Sequence, residues 1–127
     1  MKIDHAALYA RDLEAMKAFF VQYFDASCGE MYHNMKTGFR SYFLSFADGC
    51  RLEIMSKPDV DASVLPRQHA GYIHLAFSVG SKEAVDDLTA RLQRDGYEVT
   101  NGPRTTGDGY YESCIAGPED VLVELTV

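Results

Sequence analysis

Residues 71–80 read GYIHLAFSVG, and they decide the fold because they alternate as a half-buried β-strand does. One face carries bulky apolar side chains; the other carries small side chains and one imidazole. The first set is Ile73, Leu75, Phe77 and Val79, and the second is His74, Ala76 and Ser78. The first face is suited to packing under a helix and the second to lining a concavity. A strand with a histidine on its open face is therefore predicted, followed by a helix.

The N-terminal part of the chain repeats this arrangement. An offset of 69 residues (74 − 5) separates His5 from His74 and carries Asp12 onto Ser81, both of which are predicted helix N-caps. The same offset superimposes the apolar positions of the two predicted helices, which recur with helical spacing. The sequence therefore predicts an internal duplication within one fold.

Each half is predicted to read β-α-β-β-β. In the first half, three strands are expected after the helix, over Glu30–His33, Arg40–Phe46 and Cys50–Met55. In the second half, we expect a strand over 72–79, a helix over 82–95, and strands near 97–100, 110–115 and 121–127. Gly102-Pro103 is expected to interrupt the chain between two of these strands. We thus predict a single domain over 1–127, with module 1 at about 1–56, a linker at about 57–70 and module 2 at about 71–127.

Charge and composition exclude several classes of protein. The 127 residues carry a net charge of −7 without a basic stripe, which disfavours nucleic acid or an anionic membrane as a partner. The opening residues are too polar for a signal-peptide core, and no apolar run approaches the roughly 20 residues of a membrane span. Cys28, Cys50 and Cys114 are odd in number and form no CxxC, so we expect a cytoplasmic protein in which they are small core residues.

Two glutamates stand where aliphatic residues are expected. Glu53 lies between Leu52 and Ile54, and Glu124 lies 71 residues later between Val123 and Leu125. An ionised carboxylate on a buried face costs several kcal/mol unless it is paired. The expected partner is an arginine or a metal dication.

Each module supplies a histidine on its first strand and a glutamate on its last. His5, Glu53, His74 and Glu124 would give two neutral imidazoles and two carboxylates, which balance a 2+ charge. One divalent ion is therefore predicted, and Ni²⁺, Co²⁺, Zn²⁺, Mn²⁺ and Fe²⁺ all fit. Two alternatives remain open: pairing of Glu53 with Arg51, and solvent-facing glutamates on edge strands. His33 and His69 have no counterpart in the repeat and are interpreted as surface or loop histidines.

Four stretches in order resemble the vicinal oxygen chelate superfamily, which includes glyoxalase I, methylmalonyl-CoA epimerase, fosfomycin-resistance proteins and extradiol dioxygenases. They are HAALYARDLEAMKAFF at 5–20, RLEIM at 51–55, YIHLAFSV at 72–79 and GPEDVLVEL at 117–125. The resemblance implies an α+β fold of two βαβββ modules whose mixed sheets curl around a metal cleft. It also implies a homodimer, in which a site is often shared between chains with one His/Glu pair from each.

The ligand pattern looks most like glyoxalase I. The resemblance then implies a lyase or isomerase that acts on a small α-oxo or thiohemiacetal substrate through a metal-stabilised enediolate, with a thiol as co-substrate. It assigns the four metal ligands to His5, Glu53, His74 and Glu124, and the proton-transferring base to Glu124, with Glu53 as second candidate.

Two departures weaken the transfer of glutathione specificity. Tyr9 stands where the pattern often has an arginine, and the turn at 117–120 lacks its usual last glycine. The resemblance assigns no substrate-binding residues; Arg40, Arg67 and Arg104 are candidates for binding an anionic tail of the substrate, and surface arginines are the simpler interpretation.

Other activities of the superfamily remain as alternatives. A CoA-ester epimerase more often has glutamine at the place of Glu53, and fosfomycin thiol transferases and extradiol dioxygenases typically use three protein ligands. A non-enzymatic dimer of bleomycin-resistance type, which binds a small molecule without this ligand set, is the remaining alternative.

Overall fold

The computed structural model describes residues 1–61, 63, 66–67 and 70–127, so His69 and part of the expected linker lie outside the described residues. The chain divides into two compact units, Met1–Ser63 and Val64–Val127. Each unit contains one helix and one sheet, and the two sheets together give the α+β fold of two βαβββ modules that the sequence predicts.

The first unit is a mixed sheet with one helix. Its elements are β1 (Ala6–Tyr9), α1 (Leu13–Phe24), β2 (Ser27–Cys28), β3 (Tyr32–His33), β4 (Arg40–Ser45) and β5 (Arg51–Ser56). The strand order is β1-β5-β4-β2, and β3 also pairs with β4. Strands β1 and β5 are parallel, and the other pairs are antiparallel.

The second unit repeats this plan. Its elements are β6 (His74–Ser78), α2 (Lys82–Arg94), β7 (Glu98–Thr105), β8 (Tyr111–Ala116), a 3₁₀ turn (Pro118–Asp120) and β9 (Leu122–Thr126). The strand order is β6-β9-β8-β7, with β6 and β9 parallel. The first and last strands of each unit are therefore neighbours, and this places the residues of interest side by side.

The helix caps predicted from the sequence are confirmed. The Asp12 carboxylate accepts a hydrogen bond from the backbone N–H of Ala15 at 2.9 Å, and the Ser81 hydroxyl accepts one from the N–H of Ala84 at 3.1 Å. These bonds satisfy N–H groups that have no partner within the helix.

Each helix buries its apolar stripe against its own sheet. The buried side chains of α1 and its sheet include Met16, Phe19, Phe20, Leu44, Leu52 and Ile54, and those of α2 and its sheet include Val85, Leu92, Ile115, Val123 and Leu125. Burial of side chains of this size contributes about 1.5–3 kcal/mol each. Each sheet therefore has one face covered by its helix, and a strand residue that alternates with these buried ones points to the other face.

Two local predictions are wrong. The strand expected over 30–33 forms only at Tyr32–His33 (β3), and a strand that was not expected, β2, forms at Ser27–Cys28; both pair with β4. Gly102-Pro103 does not interrupt the chain but lies inside β7, where the register with β8 shifts twice. Gly102 has φ +77°, and a Cβ there would lie 2.4 Å from the carbonyl oxygen of Glu112, so this bulge requires glycine.

The expected side-chain placement also needs correction at two positions. Cys50 is exposed rather than a core residue, whereas Cys28 and Cys114 are partly buried, and all three thiols are free. Ile73 is 41% exposed, although Leu75, Phe77 and Val79 are partly buried as expected. Within the described part of the chain, no helix has the length and apolar character that crossing a membrane requires.

Candidate functional site

The first unit brings His5 beside Glu53. His5 directly precedes β1, and Glu53 lies in the middle of β5, opposite Ala7 in the parallel register. Because Leu52 and Ile54 are buried, Glu53 points to the face opposite α1. The His5 Nε2 atom lies 3.7 Å from Glu53 Oε2, and the two side chains are 35% and 17% exposed.

The second unit brings His74 beside Glu124 in the same way. His74 begins β6, and Glu124 lies in β9 between the buried residues Val123 and Leu125. The His74 Nε2 atom lies 3.6 Å from Glu124 Oε2, and the side chains are 36% and 19% exposed. The two His/Glu pairs thus have nearly the same geometry on equivalent strands. Neither glutamate is on the fully exposed edge that one alternative required.

A separation of 3.6–3.7 Å is too long for a hydrogen bond between imidazole and carboxylate. Two ligand atoms that each lie about 2.1 Å from one cation are about 3.0–3.4 Å apart in octahedral or tetrahedral geometry. The observed separations are close to that range. In each pair, a small decrease in the distance between the imidazole nitrogen and the carboxylate oxygen would therefore let both atoms contact one ion.

The environment of His5 fixes its ring. Nδ1 lies 2.9 Å from Asp4 Oδ2, and the ring of Phe43 meets the imidazole edge-on at 5.2 Å between centroids. The hydrogen bond from His5, followed by the charge of Arg51, lowers the pKa of the Asp4 carboxyl below its usual value. Arg51 pairs with Asp4 and not with Glu53, so that alternative partner for Glu53 is not seen. A carboxylate on the second ring nitrogen is the usual support of a metal-binding histidine.

The environment of Glu124 is different, because it holds a second carboxylate. Burial raises the pKa of Glu124, the carboxylates of Glu112 and Asp108 raise it further, and His74 opposes them. Glu112 also accepts a bond from Arg104 at 3.4 Å. The sequence analysis did not identify Glu112. It lies on β8, two residues before Cys114, which is paired with Glu124. The equivalent residue of the first unit is Ser41, so the repeat gives no signal for a carboxylate there.

Among the described residues, neither unit gathers three histidine, cysteine, aspartate or glutamate side chains into a cluster that could hold a metal. Each unit therefore supplies two candidate ligands. The structure brings together His5 with Glu53, and His74 with Glu124.

Two of the three arginines that the sequence offers for an anionic tail, Arg67 and Arg104, pair with carboxylates. Arg67 forms ion pairs with Glu98 at 2.6 Å and with Asp120 at 2.8 Å. The hydroxyl of Tyr111 donates to Asp86 at 2.7 Å, which ties β8 to α2, while Tyr110 is exposed. His33 is exposed, which confirms its interpretation as a surface residue.

Comparisons with known proteins identify the fold and the family. The chain is 29% identical to the uncharacterised protein YqjT of Bacillus subtilis over 97% of this chain and 96% of that protein. Its fold superimposes on that of a glyoxylase/bleomycin resistance protein/dioxygenase domain from Frankia sp. with a TM-score of 0.83 at 17% identity, covering 100% of this chain and 97% of that one.

A second solved structure is that of a mutant of the fosfomycin resistance protein FosX from Listeria monocytogenes, in complex with Mn(II) and 1S,2S-dihydroxypropylphosphonic acid. It matches with a TM-score of 0.76 and 25% identity, covering 98% of this chain and 90% of that one. The family profile of the Glyoxalase/Bleomycin resistance protein/Dioxygenase superfamily matches residues 2–125. Because that match covers nearly the whole chain, the chain belongs to this superfamily.

Proposed function

We propose that the protein is a divalent-metal-dependent enzyme of glyoxalase I type, which acts on a small α-oxo compound or its thiohemiacetal. The observation that carries this proposal is the recurrence of a His/Glu pair, at 3.7 Å in one unit and 3.6 Å in the other, on equivalent strands. A chance pairing on one strand would not recur at the equivalent place of the second module.

The proposed ligands are His5, Glu53, His74 and Glu124. Two imidazoles and two carboxylates neutralise a dication, and they suit Zn²⁺, Ni²⁺, Co²⁺, Mn²⁺ and Fe²⁺ alike. Lewis acidity toward two adjacent oxygens of the substrate is what such an ion would supply when bound. The hydrogen bond between Asp4 and Nδ1 of His5 supports Nε2 as the ligating atom.

Glu124 is proposed as the base. Its pKa is raised by burial and by neighbouring carboxylates, which brings it toward the pH at which the enzyme works and favours general acid–base catalysis. It would take a proton from the carbon next to the carbonyl and return it to the neighbouring carbon. Glu53, which lacks a second carboxylate of the Glu112 kind, is the second candidate.

A fosfomycin-type reaction is the second candidate function. It is favoured by the similarity to FosX, whose structure contains Mn(II) and a dihydroxypropylphosphonic acid. Fosfomycin thiol transferases typically use three protein ligands, whereas this chain offers four candidates. We therefore rank this function behind the glyoxalase I type.

The decisive experiment combines metal analysis with two assays. The purified protein is loaded in turn with Ni²⁺, Co²⁺, Mn²⁺ and Zn²⁺ and assayed with methylglyoxal plus several thiols, and with fosfomycin with and without thiol. We expect one ion per chain and turnover of the methylglyoxal–thiol adduct. Stoichiometric metal with turnover of fosfomycin alone would replace the first function with the second, and absence of metal binding would reject both.

Variants assign the roles. Glu124→Gln should lower kcat by about 10²–10⁴ at equal metal loading, as expected for loss of a general base. Glu98→Gln, a glutamate of the same unit that pairs with Arg67, is the matched control and should keep wild-type turnover. Undiminished turnover of Glu124→Gln would remove Glu124 from the mechanism.

A further inference from the structure

A cavity of about 460 Å³ lies within the first unit, and its wall is rich in positive charge. The described residues that line it are Arg11, His33, Gly38, Arg40, Ser56, Lys57, Pro58 and Val60. Four of these eight carry a guanidinium, an ammonium or an imidazole, and none is acidic. The chain as a whole has a net charge of −7, whereas the side chains that line this cavity are positively charged or neutral.

The Arg40 and Ser56 part of the cavity wall lies on the opposite face of the sheet from the His5/Glu53 pair. Arg40 is paired with Ser56 in the register of β4 and β5, and Ser56 is buried on the same face as Ile54, under α1. Glu53 is paired with Phe43, whose ring contacts His5 on the other face. Neither His5 nor Glu53 is among the described residues that line the cavity, so the cavity is distinct from the candidate metal ligands of this unit.

One part of the cavity wall is held in place by a close contact between the backbone of Gly38 and the ring of Pro58. Gly38 has φ +73°, and a Cβ there would lie 2.9 Å from Cγ of Pro58. The N–H of Gly38 donates to the carbonyl oxygen of Asn34 at 2.8 Å, which closes the preceding turn. The turn is thus packed against the residues that follow β5, so the cavity exists before any ligand binds.

The carboxylates beside Lys57 and Arg40 offset little of the charge of these two side chains. Asp59 lies 3.5 Å from the ammonium of Lys57 but is 78% exposed, where solvent screens the pair. Arg40 interacts electrostatically with Glu14 of α1, whose main partners are Lys17 and Tyr42. Positive charges gathered around one concavity repel each other, and an anion between them relieves that repulsion.

We propose that this cavity binds the phosphate group of a small phosphate ester. The Arg40 guanidinium would bind two phosphate oxygens in bidentate fashion, and Lys57 would supply a point charge. The buried Ser56 hydroxyl is a further donor. The volume exceeds that of inorganic phosphate and lies in the range of about 300–1,000 Å³ that is usual for small-molecule sites, which leaves room for the organic part.

The test is an NMR titration of the ¹⁵N-labelled full chain in metal-free buffer. Inorganic phosphate and glycerol 3-phosphate are the two ligands, and sodium chloride at equal ionic strength is the reference. We expect saturating shifts of the amides of Gly38, Arg40 and Lys57 with both phosphates, and tighter binding of the ester if the rest of the cavity contributes. Shifts that chloride reproduces, or that centre on His5 and Glu53, would overturn the proposal.

Two variants make the assignment specific. Arg40→Gln and, independently, Lys57→Gln should each weaken phosphate binding by about tenfold or more, the effect of losing a charge-assisted hydrogen bond. Arg94→Gln, which removes the same charge from the last turn of α2, is the control and should bind as the wild type does. Wild-type affinity in both cavity variants, with their spectra showing an intact fold, would refute the site.

Discussion

The carboxylate of Asp4 lies 2.9 Å from Nδ1 of His5. This contact leaves Nε2 as the ring atom that faces Glu53, and it would hold the imidazole in the orientation that a ligand needs. Asp4→Asn should therefore weaken the binding of Zn²⁺ or Mn²⁺ by about 10–100-fold, as measured by competition with a chelator.

Asp59→Asn is the control for this prediction, because it removes an exposed carboxylate of the same unit that has no contact with the pair. Its metal affinity should equal that of the wild type. Equal affinity in Asp4→Asn would show that Asp4 does not position His5.

The two His/Glu pairs can be tested for shared use between chains. If the protein is a homodimer in which one pair from each chain completes a site, His5→Ala and His74→Ala are each inactive alone. Co-expression of the two variants would restore one intact site in every mixed dimer, and we expect activity to reappear. The measurement is turnover of the purified mixed dimer, isolated with two different affinity tags. An inactive mixed dimer would mean that each site is built from a single chain.

The buried hydroxyl pair of the second unit makes a stability prediction. The Thr89 Oγ1 atom lies 2.6 Å from Ser113 Oγ and also donates to the carbonyl oxygen of Val85. Thr89→Val leaves the Ser113 hydroxyl buried without this partner, so it should lower the free energy of unfolding by about 1–3 kcal/mol. Ser113→Ala should cost less, since Thr89 keeps its bond to Val85. Urea unfolding of the two single variants and the double variant measures the coupling, and additive losses would contradict it.

The pairing of Arg67 with Glu98 makes a prediction about pH. Hydrogen bonds and charge from Arg67 lower the pKa of Glu98, so the folded state binds this proton more weakly than the unfolded state does. The stabilisation is complete above the unfolded pKa and is lost as the pH falls through the folded value. The stability difference between wild type and Arg67→Gln should therefore shrink as the pH is lowered below about 4.3.

An NMR titration of the Glu98 carboxyl gives the direct measurement. Its pKa should rise toward the usual value in Arg67→Gln, whereas Arg104→Gln, which removes an arginine of the same strand, should leave it unchanged. Identical titrations in wild type and Arg67→Gln would show that the ion pair does not persist in solution.

The duplicated fold could be predicted because its helices and strands are indicated by residues close together in the sequence. Helix caps at Asp12 and Ser81, apolar periodicity, and glutamates flanked by aliphatic residues are all visible in the sequence. Register then decides which side chains meet across strands, and parallel pairing of the first and last strand of each unit brings each histidine to its glutamate.

What the sequence did not predict depends on contacts without a counterpart in the repeat. Glu112 acts on Glu124 only because β8 lies beside β9, and the first unit has a serine at the equivalent position. Gly102 is required because the carbonyl oxygen of Glu112 approaches it closely within the bulge. This contact cannot be read from the sequence, where a Gly-Pro pair is typical of a break between strands. The glycine expected at the end of the 117–120 turn is replaced by Asp120, which adopts a left-handed φ of +62° and pairs with Arg67.

Arg67 precedes β6, and its guanidinium forms ion pairs with both Glu98 and Asp120. This guanidinium therefore joins the residues before β6 to the first residue of β7 and to the 3₁₀ turn before β9, all within the second unit. A segment outside the hydrogen-bonded ladder of that sheet is in this way held by charge, so a high salt concentration should loosen it and leave the ladder intact.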